Sequence, residues 1–322
     1  DDIIINEPIA LSIEEDKSDY NNFGVSCNGE TDGYVEVTVT GGNVEVDYTY
    51  VWTATDGGVI TTGAGTNKIE DLPPGSYNVV VIDDNDCEIT LEEPVVISEP
   101  DLMQAFHDDS LDTQYFGDYG VSCNGASDGQ IDLTVSGGTG FGTYTYTWTA
   151  TDGGSIPADQ VSEEDPIGLT AGTYSVVVTD LNGCSIIEPY EVTLTESTLL
   201  EASNTYIKDY NGFGISCNGE EDGEIGFSVL GGEGPSWNWD LYLNDSDDSI
   251  LNGTTEGSDT IFNLGAGTYD LEFTDSYNCS VWIDDIIINE PIALSIEEDK
   301  SDYNNFGVSC NGETDGYVEV TV

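Results

Sequence analysis

The sequence predicts an all-β chain built of tandem β-sandwich repeats arranged as an extended rod. Three observations carry that prediction. Apolar residues alternate with polar ones in short runs, as where Val35, Val37 and Val39 face away from Tyr34, Glu36 and Thr38, the period of a half-buried strand. The anchor V/I-S-C-N-G-x-x-D-G occurs four times, with cysteines 27, 123, 217 and 310 lying 96, 94 and 93 residues apart, the size of a small sandwich. Residues 284–322 repeat residues 1–39 without a change, at a lag of 283 residues, so the chain is a repeat of repeats.

These spacings divide the chain into the end of a preceding repeat (1–10), three immunoglobulin-like repeats (11–100, 101–197 and 198–291) and the start of a further one (292–322, identical to 9–39). Asp1 corresponds to Asp284, inside a repeat, so the native chain is expected to continue both ways.

Within a repeat the elements keep a fixed order. After the anchor comes the alternating strand: Val35–Val37–Val39, then Ile131–Leu133–Val135, then Ile225–Phe227–Val229 in the successive repeats. It stops at a Gly-Gly pair (Gly41–Gly42, Gly137–Gly138, Gly231–Gly232), always 14 residues past the cysteine. An aromatic strand is next: Tyr48, Tyr50 and Trp52, then Tyr144, Tyr146 and Trp148, with Trp237 and Trp239 in the third repeat. A buried tryptophan on the third strand suits an immunoglobulin-like sandwich. The pattern L-x-x-G-[ST]-Y (Leu72–Tyr77, Leu169–Tyr174, Leu264–Tyr269) predicts a tyrosine corner opening the most apolar strand. Six residues later stands an aspartate (Asp83, Asp180, Asp275), read as hairpin chemistry before the second cysteine. Glu-Pro marks the joints at Glu99–Pro100 and Glu290–Pro291, with no Gly/Ser linker, which predicts semi-rigid joints.

Composition excludes whole classes of function. The formal charge is −60, with 64 acidic residues against Lys17, Lys68, Lys208 and Lys300, and there is no arginine. Phosphate backbones are recognised by Arg and Lys, so nucleic-acid binding is excluded, and an anionic membrane surface is equally unfavourable. No apolar run approaches the ~20 residues of a membrane span, so no membrane insertion is expected in these residues. With one histidine, His107, and no unrepeated acid–base constellation, no catalytic residues are assigned and the chain is read as not an enzyme.

The cysteines recur in pairs: Cys27/Cys87, Cys123/Cys184 and Cys217/Cys279, separated by 60, 61 and 62 residues, while the counterpart of Cys310 falls beyond residue 322. In an acidic, β-rich chain they read as disulfides in an oxidising, extracellular setting. The expected pairing is one bond within each repeat. A topological objection stands against it. In a seven-strand sandwich the loop before the second strand and the start of the last strand lie at opposite poles. The alternative is a bond between repeats, such as Cys27 to Cys184.

V-S-C-N-G-x-x-D-G, V-T-V-x-G-G, Y-T-Y-x-W and L-x-A-G-T-Y-x-V-V-V-T-D-x-N-G-C, in that order, resemble the SprB-type repeat of Bacteroidota cell-surface adhesins. The second repeat carries the whole pattern from Val121 to Cys184. The first departs at Pro73–Pro74 and Asp86, and the third in its aromatic strand and at Asn278. The resemblance implies type IX secretion, display at the cell surface and a part in gliding motility.

Two kinds of site remain as expectations. Calcium, if any cofactor is bound, would take loop carboxylates: Asp245, Asp247 and Asp248 first, then Asp83, Asp84 and Asp86. Asp32, Asp128 and Asp222 of the anchor are explained by an Asp-Gly turn. The Asp-Ser/Thr-aliphatic triplets around Ser110, Ser249 and Thr260 match Bacteroidota O-glycosylation sites. The functional expectation is a stalk segment of a giant secreted adhesin, outer-membrane-anchored or released. Its partners would be neighbouring repeats, a surface or polysaccharide ligand held by other regions, and the gliding and secretion machinery. A calcium-stiffened extender and a self-assembling sheath subunit are the rival readings.

Overall fold

The computed structural model describes residues 6–107, 119–140, 142–243 and 246–322. Every regular element among them is a β-strand. The chain divides into two compact units, Asp1–Val121 with Gly125–Thr195, and Ser122–Asn124 with Glu196–Val322.

The first repeat shows why the alternating runs build a sandwich. Its strands are β1 (Ser12–Lys17), β2 (Gly33–Thr40), β3 (Thr49–Thr55), β4 (Lys68–Leu72), β5 (Gly75–Ile82), β6 (Glu88–Thr90) and β7 (Val95–Ile97). One antiparallel sheet runs β1-β2-β4. In the other, β5 is flanked by β3 on one side and by β6 and β7 in succession on the other, as one broken edge strand. This is the immunoglobulin strand order. Val35 and Val37 from the first sheet meet Trp52, Tyr77, Val79 and Val81 from the second in one core. Each such side chain contributes roughly 1.5–3 kcal/mol by leaving water.

The second repeat has β8 (Gln104–His107), β9 (Gly129–Gln130), β10 (Leu133–Ser136), β11 (Thr145–Thr151), β12 (Ile167–Leu169), β13 (Gly172–Thr179) and β14 (Tyr190–Leu194). Here β8-β10 and β9-β12 form the first layer and β11-β13-β14 the second. The third has β15 (Glu201–Ile207), β16 (Gly223–Leu230), β17 (Trp237–Leu243), β18 (Leu251–Thr255), β19 (Ser258–Leu264), β20 (Gly267–Thr274) and β21 (Ser280–Ile288). Its layers are β15-β16-β19 and β18-β17-β20-β21.

The departure of the third repeat in its aromatic strand now has a structural meaning. Tyr48 and Tyr144 donate their hydroxyls to Gly41 O and Gly137 O, and Trp237 Nε1 donates to Gly231 O in the same way. Leu241 occupies the register of the core Trp52, and β18 pairs along that strand. The C-terminal hairpin of β22 (Glu297–Lys300) and β23 (Val318–Thr321) reproduces the register of its identical copy: Glu297 faces Thr321 as Glu14 faces Thr38.

The expected tyrosine corner is present three times. Tyr77, Tyr174 and Tyr269 donate to Pro73 O, Thr170 O and Gly265 O, each four residues upstream, at 2.6, 2.5 and 2.9 Å. The Gly-Gly turns are obligatory for a second reason besides positive φ. A Cβ on Gly41, Gly137 or Gly231 would lie 2.1, 2.3 or 1.8 Å from the carbonyl oxygen of Ala10, Leu102 or Leu199, in the segment leading into the first strand of that sandwich.

Candidate functional site

The most distinctive chemistry lies in the loops at the two ends of each sandwich, and it starts with the anchor. In S-C-N-G-x-x-D the aspartate closes the loop on itself: Asp32 Oδ1 and Asp222 Oδ1 accept the amides of Ser26 and Ser216, each at 3.0 Å. These bonds hold the Asp222 carboxyl below its usual range. The asparagine then reaches out. Asn28, Asn124 and Asn218 donate their side-chain amides to Pro100 O, Ser197 O and Pro291 O at 2.9, 2.8 and 3.1 Å. Glu99 and Glu290 of the Glu-Pro joints accept Gly29 N and Gly219 N at 2.8 and 2.9 Å. The joint is therefore clasped by the anchor of the repeat it leaves.

At the opposite end a buried aspartate ties two loops together. Asp180 Oδ2 accepts Thr139 N and Thr139 Oγ1 from the Gly-Gly turn, and its Oδ1 accepts Asn182 N and Cys184 N from the hairpin. Asp83 does the same with Asn43, Asn85 and Cys87, and Asp275 with Glu233, Tyr277 and Cys279. The amides of Asn43 and Cys87 hold the Asp83 carboxyl below its usual range. The same carboxylate pushes the Cys87 thiol above its ordinary value. Each aspartate therefore fixes the second cysteine of its repeat at the upstream end of the sandwich.

This geometry corrects the expected pairing. Cys27 is bonded to Cys184, and Cys123 to Cys279, both with Cα–Cα distances of 5.7 Å. The bonds Cys27–Cys87, Cys123–Cys184 and Cys217–Cys279 do not form, because the two cysteines of one repeat sit at opposite ends of it. The anchor cysteines of the first and second repeats instead join the hairpin cysteines of the repeats after them. In the first unit Asn182 Nδ2 also donates to Ser26 O at 2.9 Å and Asn21 donates to Asn182 Oδ1, so the hairpin and the anchor loop interlock. Cys87, Cys217 and Cys310 are free and exposed in this chain.

The remaining predicted residues occupy the hairpins, one loop and a strand. Asp83 spends both oxygens on backbone amides, Asp84 Oδ2 accepts Glu45 N and Val46 N, and Asp86 takes a positive φ of 64° in the hairpin. Asp245 and Ser110 lie outside the described residues, while Asp247, Asp248 and Ser249 are exposed in one loop. Thr260 is on β19, bonded through Oγ1 to the Tyr206 hydroxyl at 3.1 Å. Among the described residues no group of three or more His, Cys, Asp or Glu is placed to hold a metal ion. Sequence reasoning missed the clasp and the two-loop aspartate. Their signals were the Asn of S-C-N-G, the recurrent Glu-Pro and the constant six-residue interval from tyrosine to aspartate.

No curated protein matches the chain. Among solved structures it is similar to the C-terminal 282-residue fragment of intimin in complex with the intimin-binding domain of its translocated receptor. That match has 19% identity, covers 65% of this chain and 72% of the other, and has a TM-score of 0.32. Extracellular domains 3–5 of Drosophila OTK match with 13% identity over 74% and 83% of the two chains, at a TM-score of 0.26. The chicken CNTN1 FN1–FN3 domains match with 14% identity over 88% and 99%, at 0.24. The SprB repeat family model matches residues 25–57 and 121–153, in each case from the anchor through the aromatic strand. Residues 25–57 and 121–153 are thus similar to SprB repeats.

Proposed function

We propose that the chain is a stalk segment of a large cell-surface adhesin, reaching the outside through type IX secretion and serving adhesion and gliding. The observation that carries this reading is the pair of staples, from the first repeat to the second and from the second to the third. A pulling force crossing the joint after Ile97 would act on one strand of backbone alone. The Cys27–Cys184 bond adds a second covalent path, and the Asn28 and Glu99 contacts hold the joint closed at rest. Opening that bond would release up to 157 residues, about 550 Å of slack at ~3.5 Å per residue. A binding or catalytic module has no use for such reinforcement, whereas a load-bearing fibre does. The disulfides fit an extracellular setting, and the charge of −60 keeps neighbouring fibres apart. Ligand recognition is assigned to other regions of the adhesin, whose surface or polysaccharide target the stalk holds at a distance.

Small-angle scattering on the oxidised 322-residue chain tests the reading. Three repeats and a partial fourth at ~40 Å each make a rod of roughly 130 Å, with a radius of gyration near 37 Å. A compact globule of this length has a radius of gyration of about 20 Å. A value near the lower figure would remove the stalk reading.

A further inference from the structure

The free thiol of Cys87 stands in a cavity of about 250 Å³ lined by Pro8, Ala10, Leu11, Gly42 and Asp83. The third repeat has the same cavity, lined by Ser197, Leu199, Leu200, Gly232 and Cys279, and there Cys123 and Asn124 of an anchor loop line it as well. Cys123 is bonded to Cys279, and Asn124 donates to Ser197 O. The first repeat therefore presents the receiving side of this arrangement without the loop. Its hairpin is already set for one. Asn85 N and Cys87 N are held by Asp83 Oδ1 as Asn182 N and Cys184 N are held by Asp180 Oδ1. Asn85 thus stands where Asn182 stands when it donates to Ser26 O of a docked loop.

The matching loop is also present. Cys217 is exposed on an anchor loop closed by Asp222, and Asn218 and Gly219 already clasp the joint through Pro291 O and Glu290. The order of the repeats selects this loop. The residues after the third repeat are, one for one, those that begin the first, so the anchor of Cys217 precedes a repeat of the Cys87 type.

We propose that the Cys87 cavity receives the Ile215-Ser216-Cys217-Asn218 loop of a second copy of this 283-residue unit, and that Cys217 and Cys87 join the two copies. The staple then runs unbroken across the boundary between units. Formation takes two thiols to one disulfide, with the two electrons and two protons passing to a low-molecular-weight disulfide such as oxidised glutathione, which leaves as two thiols. Until the loop docks, Asp83 keeps the Cys87 thiolate scarce, which protects it from stray exchange.

The test extends the 322-residue chain by its own residues 40–100, which completes the C-terminal copy of the first repeat, and oxidises it with glutathione. Peptide mapping without reduction should then find Cys217 linked to the appended copy of Cys87, with the N-terminal Cys87 and Cys310 still open to alkylation. A bond from Cys310 to the appended cysteine, or an alkylatable Cys217, would overturn the proposal. Should the extended chain fail to fold, a mixture of two full-length variants replaces it. One is C217S/C310S, which keeps only the cavity thiol, and the other is C87S/C310S, which keeps only the loop thiol. The mixed dimer should exceed either homodimer at least tenfold, and fall to the homodimer level when the first carries Asn85→Ala and the second Asn218→Ala. Equal yields of all three dimers would mean random oxidation and refute docking. None of these outcomes bears on the scattering result, so the proposal and the stalk reading fail separately.

Discussion

Removing the staple between the first two repeats is the sharpest perturbation available. Cys27–Cys184 closes a loop of 157 residues, and the chain-entropy relation gives about 5 kcal/mol for that closure. A bond closing roughly 60 residues would contribute about 4 kcal/mol, so the size of the loss does not identify the partner. The pattern across variants does. Cys27→Ser and Cys184→Ser should each lower the stability of the first unit by the same amount, and the double variant by no more than either, because all three remove one bond. Cys87→Ser should be neutral. Urea unfolding monitored through Trp52 and Trp148 reports both repeats, since each indole is buried and donates to a loop carbonyl, Thr66 O and Glu163 O respectively. A protease site placed between residues 108 and 118 adds a covalent readout. The nicked chain should run as one species near 34.5 kDa without reductant, and as fragments of about 12 and 22 kDa with it. If the nicked chain falls apart without reductant, or if Cys87→Ser is as costly as Cys27→Ser, the inter-repeat assignment is wrong.

The same geometry fixes four further outcomes. Tyr174→Phe should cost about 1 kcal/mol by losing the corner bond to Thr170 O, read as a lower urea midpoint of the first unit. Trp239 Nε1 is the one buried side-chain donor without a partner among the described residues, so Trp239→Phe should change stability by less than about 1 kcal/mol, whereas Trp148→Phe should lose about that much. Asp180→Ala removes the acceptor that sets Cys184 N, and oxidative refolding should form the Cys27–Cys184 bond more slowly with more glutathione-capped product. The folded chain holds Asp83 and Asp222 below their unfolded range, so their contribution is present above that range and lost as pH falls through the lowered values. Acidification from neutrality first relieves repulsion among the carboxylates, so thermal midpoints should rise and then fall below the usual carboxylate range; a monotonic rise would contradict the aspartate assignment.

Much of the fold was legible because it is written in short-range patterns. The alternation around Val35 and Val37 comes from the pleat, and the tyrosine corner from Leu72 to Tyr77 lies within six residues. The spacing of the cysteines could not settle the disulfide partners, although sandwich topology already argued for Cys27 to Cys184, and the reason is arithmetical. In an array whose period is nearly constant, bonds within repeats and bonds to the next repeat both recur at constant separations: 60, 61 and 62 for one, 157 and 156 for the other. Regular spacing cannot choose between them, and only the distance between the ends of a sandwich does. The aspartates at 83, 180 and 275 were underestimated for a related reason. An Asx hairpin explains half of their bonds, while the other half goes to a Gly-Gly turn about 40 residues upstream that no local pattern connects to them.

The choice of partner has a consequence that bonds within repeats would not have. Bonds within repeats would leave residues 88–122 and 185–216 crossed by no disulfide, and these stretches contain the joints. A single cut in either would sever the chain. With Cys27–Cys184 and Cys123–Cys279, every backbone position from 27 to 279 is spanned by at least one disulfide, and positions 123 to 184 by both. One proteolytic cut anywhere in that range leaves the two ends covalently joined. Joints and loops are where cleavage concentrates, since their backbones are the least protected, so the bonds cover the positions of greatest risk. Placing the first cysteine at the downstream end of one sandwich and the second at the upstream end of the next achieves this with two cysteines per repeat, the number a repeat would need to staple itself.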